Sequence, residues 1–432
     1  MADDIELASS LLGLNGFRVL AVSEAPNELT VVVETTAERA FCPECGSRAE
    51  AHERIPVELR DLPCFGRPVR FAWHKRRWRC REALCPAKTW SEESSAAPAR
   101  LLLTARAGME VTRQVGELAR PVDTVAKENG LAWATTMDAV RYYGEPLVED
   151  PQRVAPVRAM GIDETKWLSA DGRHATRFVS SIVDIDRRVI VDLIEGNSAR
   201  DIGSWCLKQS GQFLRSVEVL ATDLTESYRH GTRDHLDHAL RVADPFHVVR
   251  VANHALDLVR RRVQNQTLEH RGRKRDPLYR IRKLLTMGVE RLDQQGHDRL
   301  LLGLRVGDPD REVEGAWLAK ESVRDIYLTE DVEEAATLLD KAITGCLQDP
   351  VPEIRSLGRT LSRWRPEILN HHRTGVSNGP TEGQNLCVKK VKRCGHGFSD
   401  FDNYRLRVLL FAGGVEWPHR PRPPAIRSIA PY

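Results

Sequence analysis

The chain has 432 residues, 29% of them charged, with 64 Lys and Arg against 61 Asp and Glu, so its formal net charge is only +3. That length carries two or three domains with ample core, and a balanced charge says nothing about partners until its distribution is read. No apolar run approaches a membrane span, the N-terminus MADDIELASS has no basic leader region, and nine cysteines in a long charged chain do not make a secreted disulfide scaffold; a soluble, unprocessed cytoplasmic protein is expected, in which paired cysteines bind metal.

Residues 1–95 read as β-rich and hold five of the nine cysteines. NELTVVVETT alternates apolar and polar residues as a half-buried strand does. Cys42 and Cys45 form a CxxC followed by Gly46, and Cys80 and Cys85 form a second close pair. Two such pairs supply the four thiolates of a tetrahedral zinc site, with Cys64, His52 and His74 as lesser candidates. Between the pairs, RPVRFAWHKRRWRCR carries seven cations and no acid, including Arg70, Lys75, Arg76, Arg77 and Arg79, interleaved with Trp73 and Trp78. Cations displayed on a zinc-braced strand suit a phosphate backbone, so this run is expected to bind DNA. SEESSAAPAR (91–100) reads as a linker.

Residues 96–150 read as helical. RPVDTVAKENGLAWATTMDAVRYYG resembles a helix-turn-helix, with Ala126 and Gly130 four apart at the tight turn and a recognition helix from Trp133 to Tyr143. From 151 to 264 the pattern becomes β-β-β-α-β-α-β-α: VRAMGID, TRFVSSIVDID and RRVIVDLIEG, then helices alternating with VEVLATD and RVADPF. This is the order of a ribonuclease H-like α/β fold, a mixed sheet covered by helices. Residues 265–370 form a charged helical insertion, 371–415 the last core helix, and 416–432 a Pro- and Arg-rich tail.

Three acidic residues stand out: Asp163 in MGIDETKW, Asp223 in VEVLATDLTESY and Glu382 in SNGPTEGQNLCVKKVKR. The first two end apolar strand-like runs, which that fold sets side by side; the third opens a helix whose one face bears Glu382, Asn385, Lys389 and Lys392 or Arg393. Converging carboxylates hold two divalent cations, Mg²⁺ or Mn²⁺, suited to phosphodiester cleavage and transfer, while the helical cations hold the strand. Each acid also has a plainer reading as a turn or helix cap. Asp184, Asp186 and Asp244 compete for the role, whereas alternation points Glu164 away from Asp163. Asp244 and His247 read either as a supporting pair or as an N-cap followed by a surface histidine. Cys206, Cys346, Cys387 and Cys394 read as core or helix-face residues.

These motifs, with RRWRCREALC and ADPFHVVRVANHALDLVRR, span residues 42 to about 410, and the chain resembles an insertion-sequence transposase of the ISL3 type with the DDE signature. The resemblance implies Asp163, Asp223 and Glu382 as the catalytic triad and Cys42, Cys45, Cys80 and Cys85 as structural zinc ligands. Pro245 departs from the pattern, which usually has Arg there. The implied partners are double-stranded DNA (terminal inverted repeats and target) and further copies of the chain in a dimer or larger assembly, with no membrane. The alternatives are a transposase-derived DNA-binding regulator without catalysis and a nuclease acting on RNA or structured DNA.

Overall fold

The computed structural model describes residues 5, 8–10, 12–154, 156–170, 172 and 175–417; the expected tail lies outside them from 418 onward. The chain divides into two compact units, residues 1–154 with 387–432 and residues 155–386. Both are built of strands and helices, and each contains one five-stranded sheet. No helix among the described residues is long and apolar enough to cross a membrane.

The first unit opens with β1 (Phe17–Ala25), β2 (Glu28–Thr35), β3 (Glu50–Cys64), β4 (Arg67–Arg79) and β5 (Thr89–Ser91). The order is β1-β2-β4-β3, with β5 on the end of β4. β2 and β4 are parallel and the other pairs antiparallel. One face buries Val19, Val33, Phe71 and Trp73, the apolar half of the alternation.

The other face explains part of the basic run. Alternation along β4 puts Arg70 and Arg76 on the side opposite Phe71 and Trp73, where carboxylates from the neighbouring strands meet them. Arg70 pairs with Glu28 at 2.9 Å, and buried Arg76 pairs with buried Glu34 at 3.3 Å. Burial works against the charge of Glu34, but Arg18, Arg54 and Arg76 hold its carboxyl down at about 2. Arg77 meets Glu53 at 2.9 Å, Arg81 lies 3.8 Å from Glu50, and Arg67 pairs with Glu24. Lys75 instead lies over the Trp73 ring, 4.8 Å from its centroid. The run without acids in sequence is thus largely neutralised across the sheet. Exposed pairs of this kind are worth roughly 0–1 kcal/mol, so phosphate can draw off Arg70 and Arg77, but not buried Arg76.

Helices α1 (Ala105–Val115), α2 (Val122–Glu128) and α3 (Trp133–Glu149) follow. Between α2 and α3 the Leu131 N–H reaches the Ala126 carbonyl at 2.8 Å, and Gly130 takes φ +63°, a left-handed turn that suits glycine. α3 runs past Tyr143 and contains Pro146, so it is longer than the sequence pattern predicts. Within this unit α15 (Phe401–Ala412) packs on α3, and Asn403 accepts from Arg141 at 2.9 Å.

The second unit begins with β6 (Ala159–Leu168), β7 (Arg177–Asp184) and β8 (Val189–Glu195) as an antiparallel meander. Then come α4 (Ala199–Leu207), short α5 (Gly211–Ser216), β9 (Val219–Thr222), α6 (Glu226–Thr232), β10 (Leu240–Ala243) and α7 (Pro245–Leu268). The expected element order is present with α5 added. The sheet runs β10-β9-β6-β7-β8, with β9 and β10 parallel to β6. Helices α8 (Pro277–Thr286), α9 (Gln294–Gly307), α10 (Glu312–Asp325), α11 (Val332–Gln348), α12 (Pro352–Arg363) and α13 (Arg365–Thr374) share one apolar core with α7. The chain then enters α14 (Gly379–Cys394), which passes from the second unit into the first at residue 387.

Candidate functional site

In the second unit, parallel pairing sets Ile162 of β6 beside Thr222 of β9. Asp163 and Asp223 are the next residues on each chain, so they leave the parallel pair side by side. β9 ends there, but β6 continues against β7 to Leu168, which makes Asp163 a mid-strand residue rather than a strand end.

Glu382 stands in the first turn of α14, near enough for its charge to act on Asp163. Two side chains tie the helix to the sheet and its neighbours. Buried Asn385 donates from Nδ2 to Asp163 Oδ2 at 2.8 Å and accepts from Ser181 Oγ at 2.8 Å. Asp244 caps α7, accepting from Phe246 N–H at 3.0 Å, and also accepts from Asn378 N–H at 2.8 Å, just ahead of α14. Pro245 fills the first position of α7, where a missing N–H costs nothing.

His247 is not a surface histidine. It is 4% exposed, and its Nε2 lies 3.2 Å from Glu382 Oε1, while Nδ1 is buried with no hydrogen-bond partner. Ligand atoms of Asp244, His247 and Glu382 lie within 4.8 Å of one another.

Asp163 and Asp223 are not part of that 4.8 Å group, but the electrostatics beside it suit a cation. Burial raises the Asp163 carboxyl, and the negative charges of Asp223 and Glu382 raise it further, against the Glu164 N–H and His247. Asp223 Oδ1 is buried without any hydrogen-bond partner. An unpartnered carboxylate oxygen among like charges is costly unless a cation joins it. Of the competing acids, Asp244 stays beside Glu382, whereas Asp184, Asp186 and Glu164 are engaged elsewhere. Asp184 closes a turn onto Asp186 N–H and Arg187 N–H, Asp186 pairs with Arg158 at 2.8 Å, and exposed Glu164 accepts from Asn197 at 2.6 Å.

Gly161 had no role in the sequence reading. A Cβ there would fall 1.9 Å from Thr381 Oγ1 and 2.9 Å from Asn378 Oδ1, and both residues are fully buried. The missing side chain lets α14 press onto β6, a clearance that no periodicity reveals. Gly161→Ala is expected to cost about 1–3 kcal/mol by overpacking and to displace Glu382 enough to slow any reaction there about 10²-fold. A melting curve and a nicking assay check this; wild-type behaviour in both would show that the helix yields freely.

In the first unit the four cysteines converge. Cys42 Sγ lies 3.6 Å from Cys85 Sγ and Cys45 Sγ lies 3.5 Å from Cys80 Sγ. Thiolates bound at about 2.3 Å around a tetrahedral zinc stand about 3.8 Å apart, whereas a disulfide needs about 2.05 Å. The Cys42 knuckle closes through Gly46 N–H to Cys42 C=O at 2.9 Å, with Gly46 at φ +71°. Cys64, His52 and His74 do not join the cluster. Cys206 and Cys346 are buried in the second unit, as expected of core residues.

Among the other predicted DNA contacts, Arg79 is exposed. Lys389 and Arg393 are exposed on α14, and Lys392 is half-buried there.

Comparison with known proteins gives this arrangement a class. Residues 160–408 match a family model for transposases, and residues 38–85 match a model for the zinc-finger of the transposases of IS204, IS1001, IS1096 and IS1165. The transposase for insertion sequence element IS1001 of Bordetella parapertussis is 24% identical over 418 residues, covering 94% of this chain and 97% of that protein. The transposase for IS1557 of Mycobacterium tuberculosis is 26% identical over 318 residues, 68% of each chain. These matches define an insertion-sequence transposase. The chain belongs to the ISL3 transposase family.

Proposed function

We propose that the chain binds the terminal inverted repeats of a mobile element and catalyses DNA strand cleavage and strand transfer at Asp163, Asp223 and Glu382. The observation that carries the reading is the placement of Asp163 beside Asp223, with a buried, unpartnered Asp223 oxygen and Glu382 close enough to raise Asp163. On this reading the second unit is a ribonuclease H-like core with a helical insertion.

Two Mg²⁺ or Mn²⁺ ions held by the three carboxylates would supply Lewis acidity to the phosphodiester and generate the hydroxide or alkoxide nucleophile. The chain's own residues prepare that site. Asn385 fixes the Asp163 carboxylate by donating to one oxygen, and Glu164 N–H fixes the other at 2.8 Å. His247 holds Glu382 from the side, and Asp244 anchors the chain that leads into α14. The zinc-braced sheet and the helix pair α2–α3, read as a helix-turn-helix, would recognise the ends. Lys389, Lys392 and Arg393 would contact phosphates. Two ends must be joined in one complex, so a dimer or larger assembly on DNA is expected.

The test is Mg²⁺-dependent nicking of duplexes carrying the element's own termini, with the cut ends mapped. Free 3′-hydroxyl ends at the element boundary are the expected product. Tight binding without any cut would replace the transferase with a regulator.

A further inference from the structure

Among the described residues, a run of six unpaired cations lies in the second unit, between α7 and α8 and along α8. Arg271, Arg273, Lys274 and Arg275 occupy the connector, and Arg280 and Lys283 stand on the solvent side of α8, whose opposite face buries Leu278, Ile281 and Leu285. All six are exposed, and none forms an ion pair with a carboxylate among the described residues. The one acid within this stretch, Asp276, accepts from Arg273 N–H and faces His270 at 3.6 Å, so it caps the connector rather than neutralising it. The contrast with β4 is direct, since most cations there already hold carboxylates.

The connector backbone is held in place. α7 ends on Glu269 in the left-handed region, at φ 56°. Gly272 follows at φ +111°, so close to helix α7 that a Cβ would fall 2.4 Å from Gln264 Nε2. Asp276 N–H bonds the Arg273 carbonyl at 3.0 Å, and Arg280 N–H bonds the Asp276 carbonyl at 3.0 Å. Arg282 lies 4.0 Å from the Tyr279 ring centroid, so a cation already covers one face of the aromatic on this surface. Six exposed cations on a held backbone, without Asn or Gln among residues 270–283 to read adenine, offer phosphate contacts above all.

We infer that residues 271–283 form a second DNA-binding surface, indifferent to sequence, that holds duplex DNA other than the element's ends: target or flanking DNA. The inference rests on the proposed action on DNA. An acidic protein is the lesser match. Duplex DNA presents about one charge per 1.7 Å, a density that engages six neighbouring cations at once, and each contact releases bound counterions.

The test uses the full chain and a random-sequence duplex, with affinity followed by fluorescence anisotropy across a potassium chloride series. Three proteins are compared: wild type, R273Q/K274Q/R275Q, and R70Q/R77Q. All five positions are at least partly exposed, so circular dichroism and zinc content should match wild type. Each lost phosphate contact removes about 0.9 from the slope of log affinity against log salt. The triple variant is expected to lose about 2–3 from that slope and more than about tenfold in affinity at low salt, with a smaller change in R70Q/R77Q. An unchanged slope in the triple variant, or a larger loss from R70Q/R77Q, overturns this surface. A wild-type protein that binds no duplex, ends included, overturns the proposed function itself, so the two failures are distinct.

Discussion

Glu382→Gln is expected to yield a folded protein that binds element ends and neither cuts nor transfers them. The side chain is 40% exposed in the first turn of α14, and its one described contact is His247. As a mere dipole partner of the helix, Glu382 would contribute about 0.3–1 kcal/mol, so its loss leaves the fold intact. A glutamine oxygen can still accept from His247, and the volume hardly changes. What disappears is the anionic oxygen that a hard divalent cation requires. Lewis-acid stabilisation of several kcal/mol, at one decade of rate per about 1.36 kcal/mol, sets the expected loss at about 10³-fold or more. Raising Mg²⁺ should not restore it. Asp163→Asn and Asp223→Asn should behave alike, whereas Glu164→Gln should stay active because Glu164 is exposed and bonded to Asn197. The measurements are end binding and the yield of cut and joined strands. Cleavage by Glu382→Gln near the wild-type rate would reduce Glu382 to a cap and turn attention to Asp244, since Asp184 and Asp186 are already held by the β7–β8 turn and Arg158.

The candidate site was legible in the sequence where local pattern and topology coincide. MGID and VLATD each read as an apolar run ending in Asp, and a strand meander followed by alternating helices leaves few ways to arrange them. That is enough to set Asp163 beside Asp223. The cysteine cluster was legible because both pairs are close in sequence, and each closes its own turn. Features that depend on register or clearance were not legible. Glu28, Glu34 and Glu53 come from other strands, so no window around β4 shows that they meet Arg70, Arg76 and Arg77. Gly161 looks like any small strand residue until Thr381 and Asn378 are packed against it. His247 reads either as a partner of Asp244 or as the surface residue of a capped helix, because its contact with Glu382 spans 135 positions. The sequence pattern gives a recognition helix from Trp133 to Tyr143, and α3 continues through Pro146 to Glu149. Its buried Gly144 and Val148 show that packing carries the helix through.

Purified protein is expected to contain about one zinc per chain, and Cys45→Ser to contain far less. Cys45 is the most exposed of the four thiols, so serine there opens no cavity, and its effect isolates the metal. The thiols are poorly placed to stand alone. Burial pushes the Cys85 thiol up to about 12, while the hydroxyl and N–H of Ser47 draw Cys45 down to about 6. A buried thiol ionises at neutral pH only if a cation stabilises the thiolate, so zinc binding releases protons. The sign follows: lowering the pH lets protons compete for the sulfurs, and zinc is lost as pH falls. The sheet core of Val19, Val33, Phe71 and Trp73 does not involve the metal, so β1–β4 should survive its removal. The turns around Cys42–Gly46 and Cys80–Cys85 have far less apolar packing, since exposed Phe41 and Leu84 sit beside the ligands. Zinc binding contributes about 10–16 kcal/mol to small zinc-finger peptides, and a zinc held here would order the turns beside the end of β4 and its cations. Chelation at neutral pH should therefore leave the far-ultraviolet signature of the sheet largely unchanged and abolish preference for element ends over random duplex. Equal zinc in wild type and Cys45→Ser would remove Cys45 from the ligand set, and undiminished end preference after chelation would separate the metal from DNA recognition.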